Sequence, residues 1–205
     1  MPPLTVHAWP EQRKLALQAL AERQLVIVSI ASKSSADKAA ARNLIRQQIR
    51  AALTDLLCST YHCSATQINL KHVPGQAPDK NLQITLPDYP ISISISHEQG
   101  LSIAAIYHGA TVGVDLVRID DQIEWQAVAQ LYLGKRRSEQ ISDALLSQQA
   151  SCFAFEWAVQ EAKLKCHGRA LTEWSPQLAS ALEDCTISTL NLPQGYAGAL
   201  ALRNP

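Results

Sequence analysis

The stretch that decides the fold is Ile91-Ser92-Ile93-Ser94-Ile95-Ser96, in which isoleucine and serine alternate with a period of two. This pattern is typical of a half-buried β-strand, because successive side chains of a strand point to opposite faces of the sheet. Two further apolar segments follow, 101–107 and 111–117, and the connection between them, His108-Gly109-Ala110, is short enough for a hairpin. We therefore predict a three-stranded antiparallel meander in the middle of the chain.

Helical patterns stand on both sides of this meander. Apolar residues recur at three- and four-residue steps over 37–57, and a second long helix is predicted over 151–166, with Gly168 as its stop signal. The remaining predicted elements are helices over 123–133 and 138–146 and strands over 25–30, 185–192 and 196–202. Each half of the chain thus combines a long helix with a small antiparallel sheet. This order indicates an α+β protein of two similar lobes, residues 1–109 and 110–205.

Composition excludes several classes of protein. The 205 residues are 47% hydrophobic and 18% charged, which is typical of a globular chain and not of a disordered one. With 18 basic and 18 acidic side chains the net charge is zero, so we expect no nucleic-acid partner. No apolar run approaches the roughly 20 residues that span a bilayer, so we expect no membrane partner. Five scattered cysteines and no basic segment at residues 1–5 predict a reduced, cytoplasmic protein without a secretory signal.

Two of the predicted strands carry polar residues of the kind found in active sites, one strand at its end and the other in its interior. Ser96 and His97 place a hydroxyl and an imidazole at the end of the alternating strand, although a loop histidine with an ordinary hydrogen bond would have the same sequence. Asp115 lies inside an apolar strand, where an unpaired carboxylate would be unfavourable. Asp115 therefore either holds a cation, forms a salt bridge with Arg118, or belongs to a strand-end turn.

A third segment with candidate functional residues lies in the second long helix. Trp157, Glu161 and Lys165 are four residues apart, so they share one side of that helix. Taken alone, the pattern favours an ordinary Glu-to-Lys pair on a solvated face, worth about 0.2–0.5 kcal/mol.

In this order and at these separations, the three segments resemble the motifs of the 4′-phosphopantetheinyl transferase superfamily, in particular its single-chain, two-lobe Sfp-type branch. In that branch a Ser-His strand end is followed by a Gly-Val-Asp strand and then by a helix with Trp-x-x-Lys-Glu-Ala-x-x-Lys. This chain has Gly113-Val114-Asp115 and Trp157-Ala158-Val159-Gln160-Glu161-Ala162-Lys163-Leu164-Lys165. The resemblance covers residues 75–168. It implies a pseudo-duplicated fold in which each lobe packs a long helix on a small antiparallel sheet.

The resemblance implies an enzyme that transfers the 4′-phosphopantetheine arm of coenzyme A to a serine hydroxyl of an acyl or peptidyl carrier protein. Adenosine 3′,5′-bisphosphate is released, and the reaction requires Mg²⁺ or Mn²⁺. The partner would be an apo carrier protein of fatty-acid, polyketide or nonribosomal-peptide synthesis, and the two-lobe chain would be a monomer. Asp115 and Glu161 match the metal ligands of the family, and Asp115, Glu161 and Lys165 are the implied catalytic residues.

The same resemblance implies a coenzyme A site. Ser96, His97 and Lys165 match positions near the coenzyme A phosphates, and Arg42 and Asn43 match a basic-and-polar pair on the nucleotide side. Arg42 also belongs to a stripe of arginines at four-residue steps, which is more typical of a solvated helix face. A basic segment at 135–137 is a candidate surface for docking an acidic carrier protein.

Three residues depart from the family pattern. Val117 stands where many members have a second acidic ligand, Gln160 replaces a lysine of the helix motif, and Gln76 lies in a loop that often carries one. These departures leave open an alternative, a weak or inactive homologue that binds coenzyme A or a carrier protein. A thiol enzyme using Cys166 and His167 has only their adjacency in its favour.

Overall fold

The computed structural model describes residues 2–32, 38–68, 71–72, 81–83, 90–109 and 111–203. The predicted α+β class is confirmed: the described residues form six α-helices, ten strands and one short 3₁₀ turn. The helices are α1 (Arg13–Arg23), α2 (Lys38–Tyr61), α3 (Trp125–Tyr132), α4 (Lys135–Ser142), α5 (Leu146–Cys166) and α6 (Pro176–Ala181). The strands are β1 (Leu4–Thr5), β2 (His7–Ala8), β3 (Leu25–Ala31), β4 (Lys71–His72), β5 (Asn81–Gln83), β6 (Ile91–Glu98), β7 (Leu101–His108), β8 (Thr111–Arg118), β9 (Thr186–Asn191) and β10 (Tyr196–Arg203). None of the described helices is long and apolar enough to cross a membrane.

The first half of the chain builds a six-stranded sheet in the order β2-β3-β7-β6-β5-β4. Helices α1 and α2 cover one face of it, and the apolar residues of α2 that the sequence singled out are buried there. Ile49, Leu53 and Leu56 are fully buried and pack with Val26 and Val28 of β3. The 3.6-residue period of α2 therefore corresponds to the face that it buries.

The second half builds a four-stranded sheet in the order β1-β9-β10-β8, with α5 packed on β8 and β10. The other face of this sheet meets the six-stranded sheet, in a core formed by Ile27, Ile103, Val114, Leu190 and Leu200. The layers of the molecule thus run from α1 and α2 through the two sheets to α5. The N-terminal strand β1 belongs to the sheet of the second half, because it pairs with β9.

The predicted antiparallel meander is correct for two strands and wrong for the third. β6 and β7 form an antiparallel hairpin from Ile91↔His108 to Glu98↔Leu101. β7 has no free edge for β8, since β3 pairs with its other side along seven residues. β8 therefore pairs with β10 in the second sheet, and the connection after His108 is not a hairpin turn. The sheets are also mixed and not purely antiparallel, because β2 pairs with β3, and β1 with β9, in parallel.

Ser92, Ser94 and Ser96, which we call the serine ladder, join the two sheets. The amide N–H groups of Val112, Val114 and Leu116 donate to these three hydroxyls in turn, over 3.1, 3.0 and 3.3 Å. β8 is the edge of its sheet, so the ladder satisfies amides that would otherwise have no partner strand. The prediction of a half-buried strand is wrong here: the isoleucines face the helices, and the serines are covered by the second sheet.

Gly113 allows α5 to approach β8 closely. A Cβ at this position would overlap the carbonyl oxygen of Ala162 and lie 2.5 Å from the amide nitrogen of Cys166. Both are backbone atoms, so a side chain could be accommodated only by moving the helix. The glycine of the Gly-Val-Asp segment thus sets how near the side chains of α5 lie to those of β8.

We expect Ser94→Ala to lower the free energy of unfolding by about 1–3 kcal/mol, because it leaves the buried N–H of Val114 without an acceptor. Urea denaturation measures the loss. Ser180→Ala is the control, since Ser180 is exposed on α6 and its replacement should change stability by no more than about 0.5 kcal/mol. Equal stability of the two variants would show that the ladder does not stabilise the junction.

Gly113→Ala should also destabilise the protein, by about 3 kcal/mol, because the added methyl group pushes α5 away from β8. Gly195→Ala is the control: Gly195 has a φ of +89° and nothing within 4 Å of an added Cβ, so only backbone strain of about 1 kcal/mol is introduced. Thermal and urea unfolding of both variants measure the difference. A smaller loss for Gly113→Ala than for Gly195→Ala would contradict the close contact.

Candidate functional site

A buried ion pair connects β8 with α5. The ammonium Nζ of Lys165 lies 2.7 Å from Oδ1 of Asp115, and the two side chains are only 5% and 9% exposed. The same ammonium donates to the carbonyl oxygens of Val114, at 3.0 Å, and Ile95, at 3.2 Å. Lys165 therefore binds both sheets at once, at the point where β6 and β8 run side by side.

Ser96, the last residue of the serine ladder, completes this cluster. Its hydroxyl accepts from the amide of Leu116 and donates to Oδ1 of Asp115 over 2.7 Å. Hydroxyl and ammonium thus converge on one carboxylate oxygen and fix the orientation of the carboxylate. The sequence proposed Ser96, Asp115 and Lys165 as site residues from three separate segments, and the structure brings them together.

Glu161 lies one helical turn before Lys165 and is also buried, at 7% exposure. Burial raises the pKa of the Asp115 carboxyl, and the negative charge of Glu161 contributes less in the same direction, while Lys165 and the Ser96 hydroxyl act in the opposite direction. Two acidic side chains are thus buried in this part of the molecule, and Lys165 pairs with one of them.

Two of the simpler interpretations of the sequence are wrong. Asp115 does not pair with Arg118, because residues three apart on a strand point to opposite faces; Arg118 donates to the Gln99 side chain instead, over 3.1 Å. Glu161 and Lys165 do not lie on a solvated helix face either. The side of α5 that carries them is covered by β8 and β10.

His97 does not point to this cluster. It follows Ser96 on the strand, so it lies on the opposite face of β6, where its Nδ1 is 2.8 Å from the hydroxyl of Ser102. That face is the one covered by α1 and α2. Arg42 and Asn43 belong to α2: Asn43 is exposed, and the Arg42 side chain is outside the described residues. His97, Arg42 and Asn43 are thus on the helix side of the first sheet, and the carboxylates are on the α5 side of the second.

The three residues that depart from the transferase motifs lie in different surroundings. Gln160 is buried at 5% exposure, and Val117 is half-buried against the apolar residues of α5. Gln76 and the rest of its loop lie outside the described residues. The basic segment 135–137 begins α4, where Lys135 is 3.8 Å from Glu139 and Arg137 is 3.6 Å from Glu156.

A cleft of about 410 Å³ lies where the ends of three segments meet, and the sequence analysis missed it. It is lined by the turn at 99–100, by residues 118–119 at the end of β8, and by residues 194–196 at the start of β10. Arg118 is its charged lining residue, and the hydroxyl of Tyr196 donates to the carbonyl oxygen of Gln99 across it. Counted along β6 or β8, the cleft begins three residues, about 10 Å, beyond Ser96 and Asp115. Gly100 and Gly195 signal the turns, but no local pattern shows that they meet.

Comparisons with known proteins add no relative to this picture. No protein-family model matches the chain, and no curated protein matches it either.

Lys165→Met should lower the free energy of unfolding by about 3–5 kcal/mol, because it leaves the Asp115 carboxylate buried without its cation. The double variant Asp115→Asn/Lys165→Met should recover part of this loss, since neither charge then remains. Lys135→Met is the matched control: the side chain of Lys135 is 82% exposed, and its loss should change stability by less than about 1 kcal/mol. Urea denaturation distinguishes the three. A Lys165→Met variant as stable as Lys135→Met would contradict a stabilising ion pair.

Proposed function

We propose that this protein transfers the 4′-phosphopantetheine arm of coenzyme A to a serine hydroxyl of an apo carrier protein. The observation that carries the proposal is the convergence of Ser96 and Lys165 on the Asp115 carboxylate, with Glu161 buried one turn before Lys165 on the same helix, from the same three segments that resemble the transferase motifs.

Asp115 and Glu161 would hold the Mg²⁺ or Mn²⁺ ion. Two buried carboxyl groups, one raising the pKa of the other, offer the oxygen ligands that these ions prefer. The bound ion would supply charge neutralisation for the pyrophosphate of coenzyme A.

Each residue of the site would have a separate role in the transfer reaction. The serine oxygen of the carrier protein attacks the phosphorus of the arm, the bond to the adenosine bisphosphate breaks, and the serine proton passes to the Glu161 carboxylate as general base. Ser96 and Lys165 keep Asp115 in place. Arg118 gives the cleft a cation for phosphate oxygens. His97 and the helix that carries Arg42 and Asn43 lie on the other side of the first sheet, so a coenzyme A molecule held by Asp115 and Glu161 would not reach them.

One observation favours the alternative, a homologue that binds coenzyme A or a carrier protein without turnover. The ammonium of Lys165 already donates to Asp115 and to two backbone carbonyls, so it would have to leave them to contact a phosphate. The buried Gln160 adds no positive charge in place of the family lysine.

Intact-mass spectrometry of an apo acyl carrier protein, incubated with this protein, coenzyme A and Mg²⁺, tests the proposal. We expect a mass gain of one phosphopantetheine arm that disappears when Mg²⁺ is chelated. Glu161→Gln should slow the transfer at least about 100-fold, because it removes the base and a metal ligand. Glu156→Gln is the control on the same helix, since Glu156 is half-buried and pairs with Arg137 outside the cluster.

The outcomes separate the two candidates. Transfer by the wild-type protein and by Glu156→Gln, with loss in Glu161→Gln, supports the transferase. Absence of transfer with coenzyme A binding in calorimetry supports the binding homologue. Absence of both would exclude the site for either function.

A further inference from the structure

A second group of ligand-type side chains lies at the end of α5, where the helix meets the segment before β9. Nε2 of His167 is 2.9 Å from Oδ1 of Asp184, and the thiol of Cys185 adjoins them. One ligand atom from each of the three lies within 4.8 Å of the others.

The three ligand atoms of this group, with water as a fourth, match the preferences of zinc. A tetrahedral Zn²⁺ is bound at about 2.3 Å by thiolate sulfur and at about 2.0–2.2 Å by imidazole nitrogen and carboxylate oxygen. Such ligands lie roughly 3.3–3.8 Å from one another around the ion. The separations in the group are close to this range: Oδ1 of Asp184 is 2.9 Å from the imidazole nitrogen and 4.0 Å from Sγ of Cys185. Small side-chain rotations would therefore open the space for an ion.

The surroundings orient these groups as metal ligands are usually oriented. The guanidinium Nε of Arg203 lies 2.7 Å from the second carboxylate oxygen of Asp184, Oδ2, which turns Oδ1 towards the histidine and cysteine. Outer contacts of this kind fix ligand direction in metal sites. The His167 side chain is only 7% exposed, although it follows the last residue of a helix.

We propose that His167, Asp184 and Cys185 form a binding site for a thiophilic divalent cation of the Zn²⁺ type. Binding releases the Cys185 thiol proton to solvent and forms one metal–sulfur, one metal–nitrogen and one metal–oxygen bond, with water as the fourth ligand and no change of oxidation state. The ion would join the end of α5 to the start of β9, and so fix the last turn of the helix that carries Lys165. This site is independent of Asp115 and Glu161: those offer only oxygen atoms and suit a hard cation, whereas thiolate and imidazole ligands select a softer one.

Titration with Co²⁺, under a phosphine reductant that keeps all five cysteines as thiols, tests the proposal, because Co²⁺ reports both tetrahedral geometry and thiolate ligands in its absorption spectrum. We expect one Co²⁺ per chain, with tetrahedral ligand-field bands and thiolate charge-transfer absorption, and displacement by Zn²⁺. Cys185→Ser and His167→Gln should each weaken binding at least about 10-fold. Cys152→Ser is the matched control, because Cys152 is a half-buried thiol that packs beside Trp125 and Phe153, away from the group.

The melting temperature provides a second test that does not use absorption spectra. Zn²⁺ should raise the melting temperature of the wild-type protein and of Cys152→Ser, because it binds only the folded chain, and should leave Cys185→Ser unchanged. The proposal fails if no tetrahedral spectrum forms, if His167→Gln and Cys185→Ser bind as the wild type does, or if Cys152→Ser loses binding. Neither measurement involves coenzyme A or a carrier protein, so failure here is distinguishable from failure of the transferase proposal.

Discussion

The hydrogen bonds of the serine ladder are the interaction on which the arrangement of this molecule depends. β8 is an edge strand, and an edge presents amides that need acceptors. Ser92, Ser94 and Ser96 supply these acceptors from the face of a neighbouring sheet, which allows two sheets to meet without sharing a backbone ladder. Hydroxyl groups suit this role because each can accept one bond and still donate another.

The second bond of Ser96 links this architecture to the candidate site. The same hydroxyl that accepts from β8 donates to Asp115, and Lys165 then connects that carboxylate to backbone carbonyls of both sheets. A buried ion pair is weak evidence for stability, since an apolar replacement of similar volume is often as stable. The proposed transferase function would account for the presence of three polar groups and the Glu161 carboxylate in this core.

Successive turns of helix α5 carry side chains with different kinds of ligand atom. Glu161 and Lys165 face the second sheet with oxygen and nitrogen atoms, and Cys166 and His167 follow at once, beside the residues that precede β9. The contact of Gly113 with the helix backbone holds both sets against β8. One close helix–strand contact therefore positions the carboxylates of the proposed transferase and the histidine ligand of the proposed zinc site.

The sequence by itself determined the α+β class and the two long helices, because hydrophobic periodicity is a local property of the chain, and its resemblance to the transferase motifs singled out Ser96, Asp115 and Lys165. Only the tertiary structure decided that β8 leaves the meander, since that depends on β3 occupying the free edge of β7. It also decided the partner of Asp115, the separation of His97 from Ser96, and the meeting of His167 with residues 184–185. Asp115 and Lys165 are 50 residues apart in the sequence, and His167 and Asp184 are 17 apart. Such contacts leave no periodic pattern in the sequence, because they depend on how the helices and sheets pack against one another.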